Sequence, residues 1–187
     1  MPITKELLKE YKKDRSVFFE TGTYDGDGVK MALGVGFSKI FSVEMAEEYY
    51  KKCRNIYAGD EKITLVHDNS VTYLDKVIND MEHPLNTERC FIYLDAHPMG
   101  GTGPLHMDEQ PVVAELKAIA KLQRNDHTIV VDDFRILRDG VSWATHLRGK
   151  DMKEEFRKLF LAINEDYQIS YHADPWDDED LIIVHVK

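Results

Sequence analysis

Apolar runs in this chain stop on carboxylates. VFFE ends at Glu20, KIFSVE at Glu44, KITLVHD at Asp68, CFIYLD at Asp95 and TIVVDD at Asp132 and Asp133. Acids in such places can face a cation, accept hydrogen bonds from ligand hydroxyls or amines, or hold a hard divalent metal. Each would also serve as a helix N-cap or a partner of a helix dipole, but five successive runs ending this way are hard to assign to capping alone. The first acid leads into a glycine turn, with Gly22, Gly26 and Gly28 following Glu20. A dinucleotide-binding turn requires GxGxxG, whose glycines bring a helix N-terminus up to a pyrophosphate. Gly26 and Gly28 begin that spacing, yet Met31 stands where the third glycine would fall. An acid just before the turn would also repel a pyrophosphate. A ligand carrying positive charge suits this order better.

The elements that must position these acids alternate along the chain. Leu7, Leu8 and Tyr11 predict a short amphipathic helix within residues 1–15. Strand-like and helix-like segments then alternate through VFFE, VKMALGVG, KIFSVEM, the Tyr49–Tyr57 stripe, KITLVHD, VTYLDKVINDM, CFIYLDAH, the Val112–Ala120 stripe and TIVVDDF. CFIYL is apolar enough for burial on both faces. Met152, Phe156, Leu159, Phe160 and Ile163 form a closing helical stripe, and YQISYHA and LIIVHVK a strand pair, within residues 151–187. Such alternation predicts a single α/β domain over residues 1–187 with a doubly wound, mostly parallel sheet. Ligands of such sheets bind at the carboxyl ends of the strands, which is where the acids fall.

Bulk properties narrow the partners. The 187 residues are 43% hydrophobic and 31% charged, with a formal net charge of -10. That charge disfavours a long nucleic acid or an anionic membrane surface. The first sixteen residues are charged throughout and lack an apolar signal core, so a cytoplasmic location is expected. Cys53 and Cys90 form neither a disulfide framework nor a CxxC metal motif and are expected as buried free thiols. A homo-oligomer is left open.

The spacing Glu20-x-Gly22-x-x-x-Gly26-x-Gly28 resembles the first motif of class I S-adenosylmethionine-dependent methyltransferases, and the resemblance extends over residues 17–135. It implies a seven-stranded Rossmann-like sheet with an antiparallel last strand. It further implies a cofactor site built from Glu20, Gly22, Thr23, Tyr24, Gly26 and Gly28, with Glu44 and Met45 at the ribose. Asp68, Asn69 and Ser70 would lie at the adenine, and Asp95 would close the site. The chain lacks the Asn-Pro-Pro-Tyr-like tetrapeptide of amino-group methyltransferases and has LDAHPMGG in its place; no lysine stands beside Asp95 as in cap-type RNA 2'-O-methyltransferases. What remains is similar to the metal-assisted O-methyltransferases, including the macrocin and sugar group. That resemblance implies Mg²⁺ held by Asp95, Asp132 and Asp133, with Asp95 and His97 as catalytic residues and His97 as the base. His97 would serve equally well by hydrogen-bonding the following loop, and Pro98 replaces the aromatic residue of that group. The expected reaction is methyl transfer to a sugar hydroxyl, on a glycan or nucleotide-sugar. A phenol or catechol acceptor, and a non-catalytic S-adenosylmethionine-binding protein, are the alternatives.

Other features point less far. Residues 99–104, MGGTGP, would form either a lid or an ordinary connection. Arg135 and Arg138 are expected to pair with nearby acids rather than hold an anionic acceptor. Trp143, His146 and Trp176 are expected in core or loop packing, and the acidic run DPWDDED as a solvated hairpin tip. His67, His127, His172 and His185 are read as strand residues without chemistry.

Overall fold

Strand formation follows burial. All residues of β1 (Val17–Thr21), β4 (Cys90–Leu94) and β5 (Thr128–Val131) are buried, which requires cover on both faces. The computed structural model describes residues 3–96, 110–138 and 151–187. The remaining strands are β2 (Lys39–Glu44), β3 (Ile63–His67), β6 (Gln168–His172) and β7 (Leu181–His185). Together they form one seven-stranded sheet in the order β3-β2-β1-β4-β5-β7-β6. The first five strands are parallel, and β7 runs antiparallel to both of its neighbours, β5 and β6. This is the predicted doubly wound sheet with its antiparallel last strand. The chain winds outward from β1 through β2 to β3, then crosses back to β4 on the other side. The crevice at that reversal opens at the carboxyl ends of β1 and β4.

Two apolar layers cover the sheet. On one face, α1 (Lys5–Lys12) and α2 (Asp27–Val35) pack over Phe18, Phe91, Tyr93 and Ile183. On the other, α4 (Ser70–Ile78), α6 (Pro111–Ile119) and α8 (Met152–Ile163) cover Phe19, Ile92, Leu94, Val131 and Ile182. The alternation of Phe18 and Phe19 between the layers is the two-residue period of a strand. Helix α3 (Glu47–Ile56) flanks β2 and β3.

Two short helices were not anticipated. α5 (Pro84–Thr87) begins with a proline at its first position and is capped by His83, whose Nδ1 accepts from the Leu85 N–H at 3.2 Å. α7 (Phe134–Arg138) starts directly after Asp133. Both are shorter than the periodicity that reveals a helix. His127 lies one residue before β5 rather than within it. Cys53 and Cys90 are buried free thiols. No helix among the described residues is long and apolar enough to cross a membrane.

Phe156 joins the closing helix to the sheet. It is fully buried, edge-on to Phe134 at 5.5 Å and 6.1 Å from Phe160. Phe156→Ala should cost ~3–5 kcal/mol of stability in urea unfolding, through lost burial and an unfilled cavity.

Candidate functional site

Polar residues cross the α1/α2 face of the sheet at the carboxyl ends of its strands. Glu20 lies opposite Ser42 on β2 and opposite Tyr93 on β4. The Ser42 hydroxyl donates to Glu20 Oε1 at 2.7 Å. The Ser42 proton is thereby engaged, so Thr23, bonded to the Ser42 oxygen, is the donor in that pair. On the far side of Glu20, the Tyr93 hydroxyl donates to Asp132 Oδ2, and Asp132 Oδ1 accepts from the Asp133 N–H at 2.7 Å. The result is a buried polar band from β2 to the end of β5 on an otherwise apolar face.

The glycine turn folds over this band. A Cβ on Gly28 would lie 1.8 Å from Glu20 Oε2, so the first turn of α2 rests on the carboxylate. Gly22 has φ +81°, and a Cβ there would lie 2.4 Å from the Asp95 carbonyl oxygen. Both glycines are therefore required by close approach within the chain. Tyr57 fixes the outside of the turn, its hydroxyl donating to the Gly26 carbonyl at 2.8 Å. Glu44 fixes the inside: its carboxylate accepts from the Tyr24 N–H at 2.9 Å and from the Ala46 N–H at 2.7 Å.

Burial dominates the electrostatics. Glu20 is 2% exposed, and desolvation raises it to about 8 against the Ser42 hydrogen bond; Asp95 and Glu44 add repulsion. Asp132 is pushed well above the usual carboxylate range, first by burial and then by Asp95. Tyr93 is held well above its ordinary value by burial and by Asp132. On the opposite face of the sheet, burial raises Glu115 of α6 to about 7, partly offset by the Ser70 and Thr21 hydroxyls. Thr21 Oγ1 in turn accepts from the Asp95 N–H at 3.3 Å.

No protein-family model matches the chain, and no curated protein sequence does. Among solved structures, it is similar to an O-methyltransferase from Bacillus cereus in complex with SAH, with a TM-score of 0.65 and 14% identity over 98% of this chain and 78% of that one. It is similar also to human methyltransferase-like protein 13 in complex with SAH, at 0.61 and 10% over 99% and 77% of the two chains. A third is the ribosomal protein L11 methylase from Lactobacillus delbrueckii subsp. bulgaricus, at 0.59 and 10% over 98% and 76%. The fold is that of the class I methyltransferases. At these identities the likeness is architectural, and the activities named for the three differ.

On this methyltransferase fold the predicted cofactor residues fall at two neighbouring places. Glu20, Gly22, Thr23, Tyr24, Gly26, Gly28 and Glu44 build the turn just described, and Asp95 adjoins it through β4. Met45, Asp68, Asn69 and Ser70 gather at the ends of β2 and β3. Met45 is 69% exposed and lies against Asn69, whose Nδ2 is 3.8 Å from its sulfur. Asp68 and Asn69 already hold structural partners. Asp68 pairs with Lys76 at 2.6 Å, which together with the Asn69 N–H lowers its pKa. The Asn69 side chain caps α4 through the Val71 and Thr72 N–H groups.

The metal trio differs from the expectation. Oxygens of Asp132, Asp133 and Asp180 lie within 4.8 Å of one another, and Asp95 is outside that group. Asp95 instead bears on Asp132 through charge. Asp133 has φ +54°, which turns its side chain toward Arg135 at 2.7 Å. Arg135 also pairs with Asp180 and lies 3.7 Å from Asp174. A guanidinium thus already supplies positive charge to Asp133 and Asp180. Arg138 pairs with Asp177 at 2.8 Å, so both arginines bond acids, as predicted. The acidic run is accordingly no freely solvated tip: Asp180 is completely buried, and the Asp174 side chain is too. Trp176 is 66% exposed beneath the Arg135 guanidinium at 5.3 Å. His97, Pro98, the 99–104 loop, Trp143 and His146 lie outside the described residues.

Sequence reading missed Ser42, Tyr93, Glu115 and Asp180. Ser42 and Tyr93 each stand two residues before a singled-out acid, hence on the same strand face, and that spacing was the available signal. Asp180 carried a weaker one, as the residue immediately before the apolar run LIIV.

The buried acids set a pH dependence. Folded Glu20 keeps its proton to about 8, whereas an unfolded one releases it near 4.5, so in that window stability falls as pH rises. Glu115, at about 7, acts in the same direction. His127, lowered by burial from 6.5 to about 4, acts oppositely, but its effect is complete above 6.5. Between pH 6.5 and 8 the acids therefore dominate. Urea unfolding of the ligand-free protein should show stability falling across this window, and Glu20→Gln should reduce the fall by ~1.5 kcal/mol.

Proposed function

We propose that this chain is an S-adenosylmethionine-dependent methyltransferase whose acceptor is a hydroxyl oxygen, with a sugar as the acceptor class. The observation that carries the reading is Glu20: a carboxylate almost wholly removed from water at the glycine turn, with neutral Ser42 as its side-chain partner. A ligand bearing ammonium and sulfonium charge compensates such a group, and a pyrophosphate does not. The low-identity likeness to SAH-bound methyltransferases supports the same assignment.

S-adenosylmethionine supplies the electrophilic methyl group. The chain supplies charge and placement. Glu20 offsets the ligand's positive charge from beneath the turn, and Glu44, anchored by two backbone N–H groups, retains lone pairs for ribose hydroxyls. Asp132 lines the adjoining cleft with Asp95, Ala96, Gln110 and Ile136. There it accepts the acceptor's hydroxyl proton, a task suited to a carboxylate whose proton affinity burial has raised. Tyr93 holds one Asp132 oxygen and so fixes the direction of the other. Holding acceptor and methyl donor in line contributes the rest.

The donor set at Asp132 and Asp133 fits a divalent cation: hard oxygen ligands within 4.8 Å of each other, with Asp132 further destabilised by the negative charge of Asp95. A bound Mg²⁺ would be held by Asp132 and Asp133 and would lower the acceptor's pKa. The engagement of Asp133 with Arg135 favours a second reading, in which Asp132 suffices without metal.

Calorimetry with S-adenosylmethionine and mass-spectrometric screening of glycans and nucleotide-sugars, with and without chelator, test these readings. Asp132→Asn should lower turnover by ~10²-fold or more with cofactor affinity nearly unchanged. Gly28→Ala, whose Cβ displaces Glu20, should weaken cofactor binding instead. Loss of turnover on chelation selects the metal reading. Absence of any heat with S-adenosylmethionine would remove the proposal entirely.

A further inference from the structure

The opposite end of the sheet carries opposite charge. Arg15 precedes β1, Arg89 precedes β4, Arg124, Asp126 and His127 precede β5, and Tyr167 precedes β6. These four strands run in one direction, so the residues share the amino-terminal edge, remote from the crevice at the carboxyl ends.

Arg15 is 1% exposed, yet none of its three guanidinium nitrogens has a hydrogen-bond partner. The nearest carboxylate is Asp14, 3.8 Å from Nη1, too long for a hydrogen bond. Burial and the positive charge of Arg89 push Arg15 down, while Asp14, Asp126 and Tyr167 offset this in part. A buried guanidinium without a bonded partner is strongly disfavoured, and here the positive charge of Arg89 bears on it as well. Asp126 lies 2.6 Å from Arg124 Nε and 3.2 Å from Arg89 Nε. Asp14 is the remaining acid, and its side chain is 71% exposed and 3.7 Å from Arg89 Nη1. One loosely held, solvent-facing carboxylate therefore spans Arg15 and Arg89.

We propose that Arg15 and Arg89 form a site for a phosphate group, inorganic or as a phosphate monoester, and that Asp14 is its displaceable internal occupant. A tetrahedral oxyanion presents more acceptors to two guanidiniums than one carboxylate at long range does. In this proposal the exposed Asp14 swings outward and the phosphate takes its place beside Arg15 Nη1 and Arg89 Nη1. The attraction is local, since the net charge of -10 repels anions from the molecule as a whole.

Calorimetry on the full chain with inorganic phosphate, and separately with glycerol phosphate, in chloride at fixed ionic strength, tests this. Saturable binding is expected. It should weaken about tenfold or more in Arg89→Gln and tighten severalfold in Asp14→Asn, with S-adenosylmethionine binding unchanged in both. Asp14 is exposed and Arg89 partly so, and an unchanged unfolding midpoint without phosphate confirms that each variant folds. Tighter binding of glycerol phosphate identifies a monoester as the ligand, and equal or tighter binding of inorganic phosphate identifies the free anion. No heat from either probe, or binding that survives Arg89→Gln, overturns the proposal.

Discussion

The candidate site depends on a carboxylate kept out of water. Glu20 sits in the middle of the sheet with Gly28 against one oxygen and the Ser42 hydroxyl on the other. Its rise from 4.5 to about 8 corresponds to ~5 kcal/mol against the ionised form. That disfavoured charge is why the surrounding geometry takes the form it does. The glycine must lack a side chain because the acid fills the space. Ser42 must lie on the inward face because the acid needs a donor, and Thr23 must then donate to Ser42. A cationic ligand would turn this cost into binding, because it favours the charged form that burial opposes.

Strand direction explains the second cluster of acids. β7 enters the sheet beside β5 but runs the other way, so its amino end lies next to the carboxyl end of β5. The residue just before β7, Asp180, is thus delivered to Asp132 and Asp133, although 47 residues separate it from Asp133 along the chain. Its carboxylate accepts from the Arg135 N–H at 2.7 Å and pairs with the same residue's guanidinium. The short helix α7 is tied by this contact to the start of β7. Asp133 and Asp180 therefore serve the architecture whether or not a metal binds, while Asp132, whose bonds are to Tyr93 and the adjacent N–H, is turned toward the cleft.

Those two cases show what was legible in the sequence. Parallel strands that end in acids are readable, because period-two burial and the terminal residue are local facts. The turn from Glu20 to Gly28 and the doubly wound, mostly parallel character of the sheet followed from them. Partnerships across strands were not readable. Ser42 and Tyr93 looked like ordinary strand residues until register placed both opposite Glu20. Asp180 looked like part of a solvated loop because seven residues of mostly acidic and turn-forming character surround no visible cation. Its counter-charge, Arg135, lies 45 residues away, and only the antiparallel entry of β7 brings them together.

The two ends of the sheet then stand in a physical relation. At the carboxyl end, Glu20 and Asp132 are raised by burial and by the negative charge of Asp95, and the fitting ligand is positive. At the amino end, Arg15 and Arg89 repel one another with Arg15 lowered by burial, and the fitting ligand is negative. Strand dipoles in a sheet are small and cannot account for this separation. It lies in the side chains, in acids at the carboxyl ends of β1, β2, β4 and β5 and arginines before β1 and β4. Each end holds charge that the chain itself leaves incompletely compensated. Covering either set with an internal partner of opposite sign would have stabilised the fold, as Arg135 does for Asp133 and Asp180. The fold does not do so at Glu20 or Arg15, and a group held buried against its own hydration is most simply accounted for by a ligand of the opposite charge.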